Sequence, residues 1–194
     1  MGDWLPLMTY CFVMSSTPGP NNVMVTASGA HFGYRGTLPH ILGIHFGGFV
    51  QTCITCLGLG NLFERWPTLH AGLRVAGALY LLWLAWTLIG SVLRERHLAR
   101  PLSFFEAAAF QAINPKSWVK SITLATVFMP ADMGVALGTL VVAGTGVLVG
   151  VPCISAWALG GVAIRGWLSD PLKLRAFNLV MAATLVVLAW RFLS

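Results

Sequence analysis

Charged residues are scarce in this chain. Only 9% of its 194 residues are Asp, Glu, Lys or Arg, whereas 57% are hydrophobic. Soluble domains carry roughly 25% charged residues, so the composition excludes an ordinary soluble protein and indicates one embedded in membrane lipid. The net charge of +6 does not indicate nucleic-acid binding, because the basic residues lie mainly in connections between apolar stretches. We therefore expect lipid, and no nucleic acid, as a partner.

Several chemical motifs are also missing. The sequence has no Gly-x-x-x-x-Gly-Lys-Ser/Thr loop for ATP phosphates and no catalytic triad or paired carboxylates within its apolar stretches. No cluster of thiolates or carboxylates suits a metal ion. The four cysteines all lie in apolar stretches, and Cys53-x-x-Cys56 lacks the soluble context of a redox motif. We expect a protein that is not an enzyme and that has neither a metal site nor a cofactor.

The apolar stretches predict an all-α integral membrane protein. No Lys or Arg occurs in the first 15 residues, so the first stretch lacks the basic region of a cleavable signal peptide and is read as a retained span. A span needs about 20 apolar residues. Six stretches meet that requirement, at roughly 4–29, 37–60, 69–91, 104–128, 134–160 and 172–193.

The spans divide into two halves. The polar segment 92–103 predicts a basic cytoplasmic loop between a first repeat at 1–91 and a second at 104–194. The third span of each half ends in Leu-Ala-Trp, at 84–86 and again at 188–190. An odd number of spans per half requires the halves to be inverted relative to each other, as in many secondary transporters.

The distribution of basic residues predicts the orientation. Seven lie in the connections on one side of the membrane: Arg35, Arg94, Arg96, Arg100, Arg165, Lys173 and Arg175. Three lie on the other side: Arg65, Arg74 and Arg191. Because the more basic side faces the cytoplasm, both termini are predicted to be periplasmic.

A polar break interrupts the first span of each half. The two breaks are Thr17-Pro18-Gly19-Pro20-Asn21-Asn22 and Asn114-Pro115-Lys116. Proline removes a backbone donor, and free backbone groups at membrane depth are tolerated only inside protein or beside a wet cavity. Matched breaks in two halves point to the binding site of a transporter.

Both breaks have the pattern of a helix start, a capping residue followed by proline. Helix starts favour anions, so two of them meeting near the midplane would hold a carboxylate, with Asn21 and Asn22 as neutral partners. Alternatively, the breaks are proline kinks satisfied by neighbouring helices. Lys116 is expected either to meet substrate or to stabilise the break, and Lys120 follows one turn later. The absence of a mid-membrane acid predicts a ligand without strong positive charge.

Other polar or small residues leave two readings open. His40 and His45 are separated by about 500° of helical rotation, which excludes a shared two-histidine metal site. Each could be a proton relay or a hydrogen-bonded core residue. Gln51 could line a polar path or bridge helices. The Gly43-x-x-x-Gly47 face suits close packing within one protomer or a homodimer contact.

These motifs resemble those of the lysine exporter/homoserine–threonine resistance family of bacterial amino acid efflux proteins. The resemblance rests on the two breaks, on Gly43–Gly47 and on Gly77–Trp86, in this order, and covers nearly the whole chain. It implies six spans, a location in the bacterial inner membrane, and export of an amino acid substrate in exchange for protons.

The resemblance also bears on the substrate. Trp83–Trp86, and Ser103-Phe104-Phe105 with Gln111, are similar to the branch that exports cysteine and O-acetylserine. Many family members carry Asp where this chain has Gly48, which implies that lysine and arginine are not its substrates. We therefore expect a secondary transporter for a small neutral amino acid or derivative, of the cysteine/O-acetylserine or homoserine/threonine type. The alternatives are an exporter of another small solute and a membrane assembly protein without transport.

Overall fold

A computed structural model describes residues 4–59, 67–93 and 100–193, and all regular structure in these ranges is helical. The predicted all-α class is confirmed. The α-helices are α1 (Trp4–Ser16), α2 (Pro20–Ile54), α3 (Pro67–Leu93), α4 (Phe104–Ile113), α5 (Pro115–Val127), α6 (Val135–Ala163) and α7 (Pro171–Leu193). A π-helical turn at Thr55–Leu59 extends α2, and a 3₁₀ turn at Trp167–Ser169 precedes α7.

Three helical segments in the described ranges are long and apolar enough to cross a membrane: Pro20–Gly58, Val135–Ala163 and Pro171–Trp190. Shorter apolar helices occur at Val75–Ile89 and Phe104–Ile113. Large apolar side chains on the outer surface, among them Phe105 and Leu148, are strongly exposed. Lipid is the solvent in which such a surface is stable.

The connection predicted at 28–36 is wrong as a loop, because helix continues through it. A single residue, Gly33, leaves the helical conformation with φ +73° and ψ 173°. This left-handed region is readily available only to glycine, so one residue redirects α2 without a loop. The Thr37 hydroxyl donates to the Gly33 carbonyl at 2.9 Å and closes the bend.

Glycines allow α2 to pack backbone to backbone on its two neighbours. A Cβ atom on Gly43 or Gly47 would collide with the backbone of α4, and one on Gly29 would collide with α6. Gly161 of α6 meets the α2 backbone in the same way. The predicted Gly43-x-x-x-Gly47 face is therefore covered within one protomer and is not free for a homodimer contact.

Helices α3 and α7 pack on each other through equivalent residues. Each contributes a buried small–large–small series, with the same spacing: Ala78, Leu81 and Ala85 in α3, and Ala182, Leu185 and Ala189 in α7. Both alanines of the repeated Leu-Ala-Trp motif thus lie in one core. Its two tryptophans point outward, at 70% and 73% exposure.

Some predictions fall on residues outside the described ranges. Arg65, Arg94 and Arg96, which contribute to the predicted orientation, are among them, as is half of the basic loop, residues 94–99. All four cysteines are described, and all are free thiols, with Cys11 and Cys153 buried.

Candidate functional site

The first break separates α1 from α2. Its last residue outside helix, Gly19, has an extended backbone (φ −170°) and supplies no side-chain cap to the start of α2. The ammonium of Lys116, from the second break, donates to the Thr17 carbonyl at 2.6 Å, the Thr17 hydroxyl at 3.0 Å and the Pro18 carbonyl at 3.4 Å. The two breaks therefore meet, and one cation satisfies the Thr17 and Pro18 carbonyls that follow α1.

Of the second break, only Asn114 lies outside helix, between α4 and α5. Asn114 is extended (φ −86°, ψ 105°), and its side-chain oxygen accepts from the Lys116 backbone amide at 3.1 Å. Pro115 occupies the first helical position, as the sequence predicts. The Ser117 amide donates to the Asn114 carbonyl at 3.0 Å. The start of α5 is thus largely satisfied by its own chain.

A network of amide side chains links the breaks. Asn21 donates to the Gln111 side-chain oxygen at 3.0 Å, and Gln111 donates back at 3.3 Å. Asn114 reaches the same oxygen at 3.5 Å. Gln51 donates to the Gln111 carbonyl at 3.1 Å and accepts from Ser117. This network fixes α2, α4 and α5 relative to one another.

Gln111 is the central residue that sequence reasoning missed as part of the site. It is 2% exposed and bonds to Asn21, 90 residues away. The available signal was an amide in a short apolar helix, where it must find internal partners. Gln51, whose role the sequence left open, bridges helices.

A cavity of about 70 Å³ lies where the breaks meet, and we call it the break cavity. Of the predicted site residues, Asn21, Asn22, Asn114 and Lys116 line it. The other predicted residues shape the breaks without lining the cavity: Thr17, Pro18, Gly19, Pro20 and Pro115. Lys120, His45 and Gly48 also line it.

The two lysines differ in their surroundings. Lys116 has three oxygen acceptors, whereas Lys120 has only long contacts, 3.4 Å to the Ser15 hydroxyl and 3.5 Å to the Gly146 carbonyl. Good N–H···O bonds are about 2.9 Å long. No Asp or Glu occurs among the described residues lining the cavity, and a Cβ on Gly48 would meet nothing within 4 Å. The cavity is therefore positively charged, and Lys120 is its least satisfied cation.

The two predicted relay histidines lie in different places. His45 lines the break cavity, whereas His40 lines a separate one. For His40, neither ring nitrogen has a partner among the described residues, so the core and relay readings both stay predictions. His45 Nε2 likewise has none there. Close packing of the helices buries both rings without placing a hydrogen-bond partner from the described residues beside these nitrogens.

The geometry suits a small molecule with a carboxylate. Lys120 offers positive charge, and the Asn21, Asn22 and Asn114 amides offer neutral donors and acceptors. With about 70 Å³, the cavity is smaller than the roughly 150 Å³ cavity that binds benzene in another protein, so in this conformation it has room for a carboxylate group but not for a whole amino acid.

Comparison with known proteins agrees with this chemistry. Residues 12–194 match the model of the LysE type translocator family. The chain is 31% identical over 189 residues to the cysteine/O-acetylserine efflux proteins of Escherichia coli (strain K12) and Shigella sonnei (strain Ss046). These matches cover 94% of this chain and 93% of each relative. No solved structure matches the chain.

Proposed function

The chain belongs to the LysE type translocator family, and we propose that it is a secondary transporter exporting a small neutral amino acid or derivative from the cytoplasm. It is a transporter and not an enzyme. The observation that carries the proposal is the break cavity, which combines two lysines and four amide side chains with no acid among its described lining residues. A polar cavity at the breaks also speaks against an assembly protein without transport.

The proposed topology has six spans in two inverted repeats, at 1–91 and 104–194, joined by the basic loop 92–103. The first span of each repeat is the broken one, α1 with the start of α2 and α4 with α5. Glycine contacts support this arrangement, because Gly43 and Gly47 in the second span pack on α4 of the other repeat, and Gly161 in the fifth span packs on the α2 backbone at Thr26 in the first. The equivalent core residues of α3 and α7 support it as well.

The proposed location is the bacterial inner membrane with both termini periplasmic. Its support is the charge distribution of the described residues: Arg35 next to the bend of α2, Arg100 and Arg165 between helices and Lys173 in the first turn of α7 all belong to the same predicted side. The positive-inside rule assigns that side to the cytoplasm.

In the proposed binding mode, the substrate carboxylate pairs with Lys120 and faces the uncapped start of α2. A buried cation without an anion is costly at membrane depth, and a carboxylate would relieve that cost. The substrate amine would meet the amide oxygens of Asn21 and Asn114. Lys116 belongs to the site as the group that holds the first break in place.

The break cavity of about 70 Å³ has room for one end of a substrate, so both cysteine and the larger O-acetylserine require the breaks to separate further. Both compounds occur in the names of the relatives, and we propose them as the first substrates to test.

We propose His45 as the proton relay for coupled export. It lines the break cavity, and its Nε2 is buried without a partner among the described residues, so opening of the cavity would have to expose this nitrogen before it could exchange a proton. His40 faces away from this cavity and is the weaker of the two predicted relays.

Counterflow in proteoliposomes tests the proposal. Liposomes loaded with unlabelled cysteine or O-acetylserine should accumulate the labelled compound, and a pH gradient should drive net movement. Asn21→Ala and Asn114→Ala should each lower the rate, whereas Lys173→Ala, outside the cavity, should leave it unchanged. A wild-type protein inactive with the whole panel of neutral amino acids would contradict the function, and unaffected Asn21 and Asn114 variants would contradict the site.

A further inference from the structure

The break cavity is closed in this structure. Its volume of about 70 Å³ leaves no room for a whole amino acid, so a substrate enters only when the walls of the cavity separate. Helix α1 contributes Met14 and Ser15 to these walls, and α5 contributes Lys116, Ser117 and Lys120 among others. A contact that joins α1 to α5 beside the cavity therefore bears directly on its opening.

The Lys116 ammonium makes such a contact. It donates to the Thr17 carbonyl at 2.6 Å, to the Thr17 hydroxyl at 3.0 Å and to the Pro18 carbonyl at 3.4 Å. An ammonium group has three N–H donors, so these three oxygens can use all of them. Lys116 lies in the first turn of α5, and Thr17 and Pro18 directly follow α1. One side chain thus ties the end of α1 to the start of α5.

Gly19 makes room for this side chain. A Cβ atom on Gly19 would lie 2.8 Å from Cδ and 3.0 Å from Nζ of Lys116, so any larger residue there would push the lysine away. The Gly19 backbone is extended, with φ −170° and ψ 177°, a conformation that does not itself require glycine. The space that glycine leaves is therefore used by the Lys116 contact.

The apolar packing between α1 and α5 lies elsewhere. It involves Leu7 and Cys11 of α1 and Leu124 of α5, each more than one helical turn from its break. Thr17 and Pro18 themselves are exposed, so water can replace the ammonium at their oxygens when the contact opens. A hydrogen bond from a charged donor still favours the closed arrangement, because it is stronger than one between neutral groups.

We propose that Lys116, lying over Gly19, is a latch that holds the break cavity closed. Its release from the Thr17 and Pro18 carbonyls lets the end of α1 move away from the start of α5. This proposal rests on the proposed function, because a latch on this cavity has a role only if a solute enters there. Opening is nevertheless measured without any substrate, so the two proposals fail separately.

A cysteine inside the cavity reports its opening. Ala143 of α6 lines the break cavity, is 2% exposed and belongs to neither of the helices that the latch joins. Ala143→Cys is introduced into the full-length protein with its four native cysteines replaced by alanine, and the protein is placed in lipid nanodiscs. The measurement is the rate at which methyl methanethiosulfonate, a small neutral reagent, modifies the new thiol.

Removing the lysine should open the cavity. We expect Lys116→Ala to raise the modification rate about tenfold, the change in equilibrium that loss of a hydrogen bond to a charged group provides. Removing a nearby cation also leaves less of the reactive thiolate, which slows modification. An increase in rate therefore does not arise from the lost charge itself.

Gly19→Ala tests the latch while keeping the lysine. Its new Cβ should displace Lys116 and raise the rate by a similar factor. In the Lys116→Ala background the same change should add nothing, because both substitutions remove one contact. Gly134→Ala is the matched control and should leave the rate unchanged: Gly134 also precedes a long helix without a side-chain cap, but a Cβ there meets nothing within 4 Å.

The outcomes separate the latch from general destabilisation and from transport. Increases that add in the double variant would refute the latch, as would an unchanged rate in Gly19→Ala, which stays decisive if Lys116→Ala does not fold. Counterflow of cysteine is measured on the wild-type protein. Counterflow with an unaltered rate of opening in both single variants contradicts only the latch, whereas the expected rates without counterflow of any neutral amino acid support the latch and contradict only the proposed function.

Discussion

The two helix breaks look alike in sequence but are satisfied in different ways. The first break has three residues outside helix and a glycine cap that offers no side chain to the start of α2. Its free carbonyls depend on Lys116, which comes from the other half of the chain. The second break has one such residue, Asn114, which caps α5 with its own side chain.

This difference indicates which break receives a ligand. A helix start that is already capped has few donors left, whereas the uncapped start of α2 keeps its orphan amides. Lys120 lies beside Ser15 in the last turn before the first break. Donors and charge therefore concentrate at the first break, and the second break mainly positions the lysines.

Replacing Lys120 is expected to have the largest effect. Lys120→Met removes the cation proposed to pair with the carboxylate, and the substrate concentration for half-maximal counterflow should rise roughly 10- to 100-fold, as loss of a charged hydrogen bond predicts. Lys173→Met is the matched control, because Lys173 pairs with Asp170 outside the cavity. An unchanged half-maximal concentration in Lys120→Met would place the ligand elsewhere.

Adding an acid to the break cavity should change selectivity. In Gly48→Asp the new side chain enters open space, pairs with the cavity lysines and repels a carboxylate. We expect counterflow of neutral amino acids to fall about tenfold and uptake of lysine or arginine to become measurable, since charge complementarity sets specificity. Gly48→Asn has the same shape without the charge and should retain the original preference; a similar loss in Gly48→Asn would mean that size, not charge, is responsible.

Lys116 is expected to matter more for stability than for affinity. Lys116→Met deprives the Thr17 and Pro18 carbonyls of their donor, which should lower the free energy of unfolding by about 1–2 kcal/mol. Reversible denaturation in detergent measures this change. Lys120→Met, whose contacts are long, should lose less; the opposite order of the two variants would contradict the division of roles.

The smallest expected effect concerns the cap of the second break. Asn114→Ala should lower the free energy of unfolding by about 1 kcal/mol, the usual value for a lost helix N-cap. Asn114→Asp keeps an equally good cap and should lose less than half of that amount in the same denaturation experiment. Equal losses would show that the Asn114 side chain acts through the amide network instead.

The local sequence pattern predicted where the helices break. Contacts between residues far apart in the chain could not be predicted from such a pattern. Asn114-Pro115 follows the rule for a helix start, and Asn114 is indeed the cap. The bond from Lys116 to Thr17 joins residues 99 positions apart, and no local pattern specifies it. Gln111 was missed as a site residue for the same reason.

The bend at Gly33 shows a different limit. A connection of several residues was predicted because polar and small residues cluster there, but a single glycine with positive φ suffices. The histidines show a third limit. Their separation on the helix was predictable, but the absence of partners for His40 among the described residues depends on what neighbouring helices bring.

The glycine contacts of α2 have a mechanical consequence. Where backbones touch directly, no side-chain rotamers lie between them to absorb a small displacement, so α2, α4 and α6 must shift together or separate altogether. Helices α3 and α7 pack on each other through leucine and alanine side chains. They form a second rigid unit beside the one formed by α2, α4 and α6. None of the described residues that line the break cavity belongs to α3 or α7, whereas α1 and α5 both line it. Opening of the cavity to alternate sides is then expected to come from movement of α1 and α5 against the group formed by α2, α4 and α6.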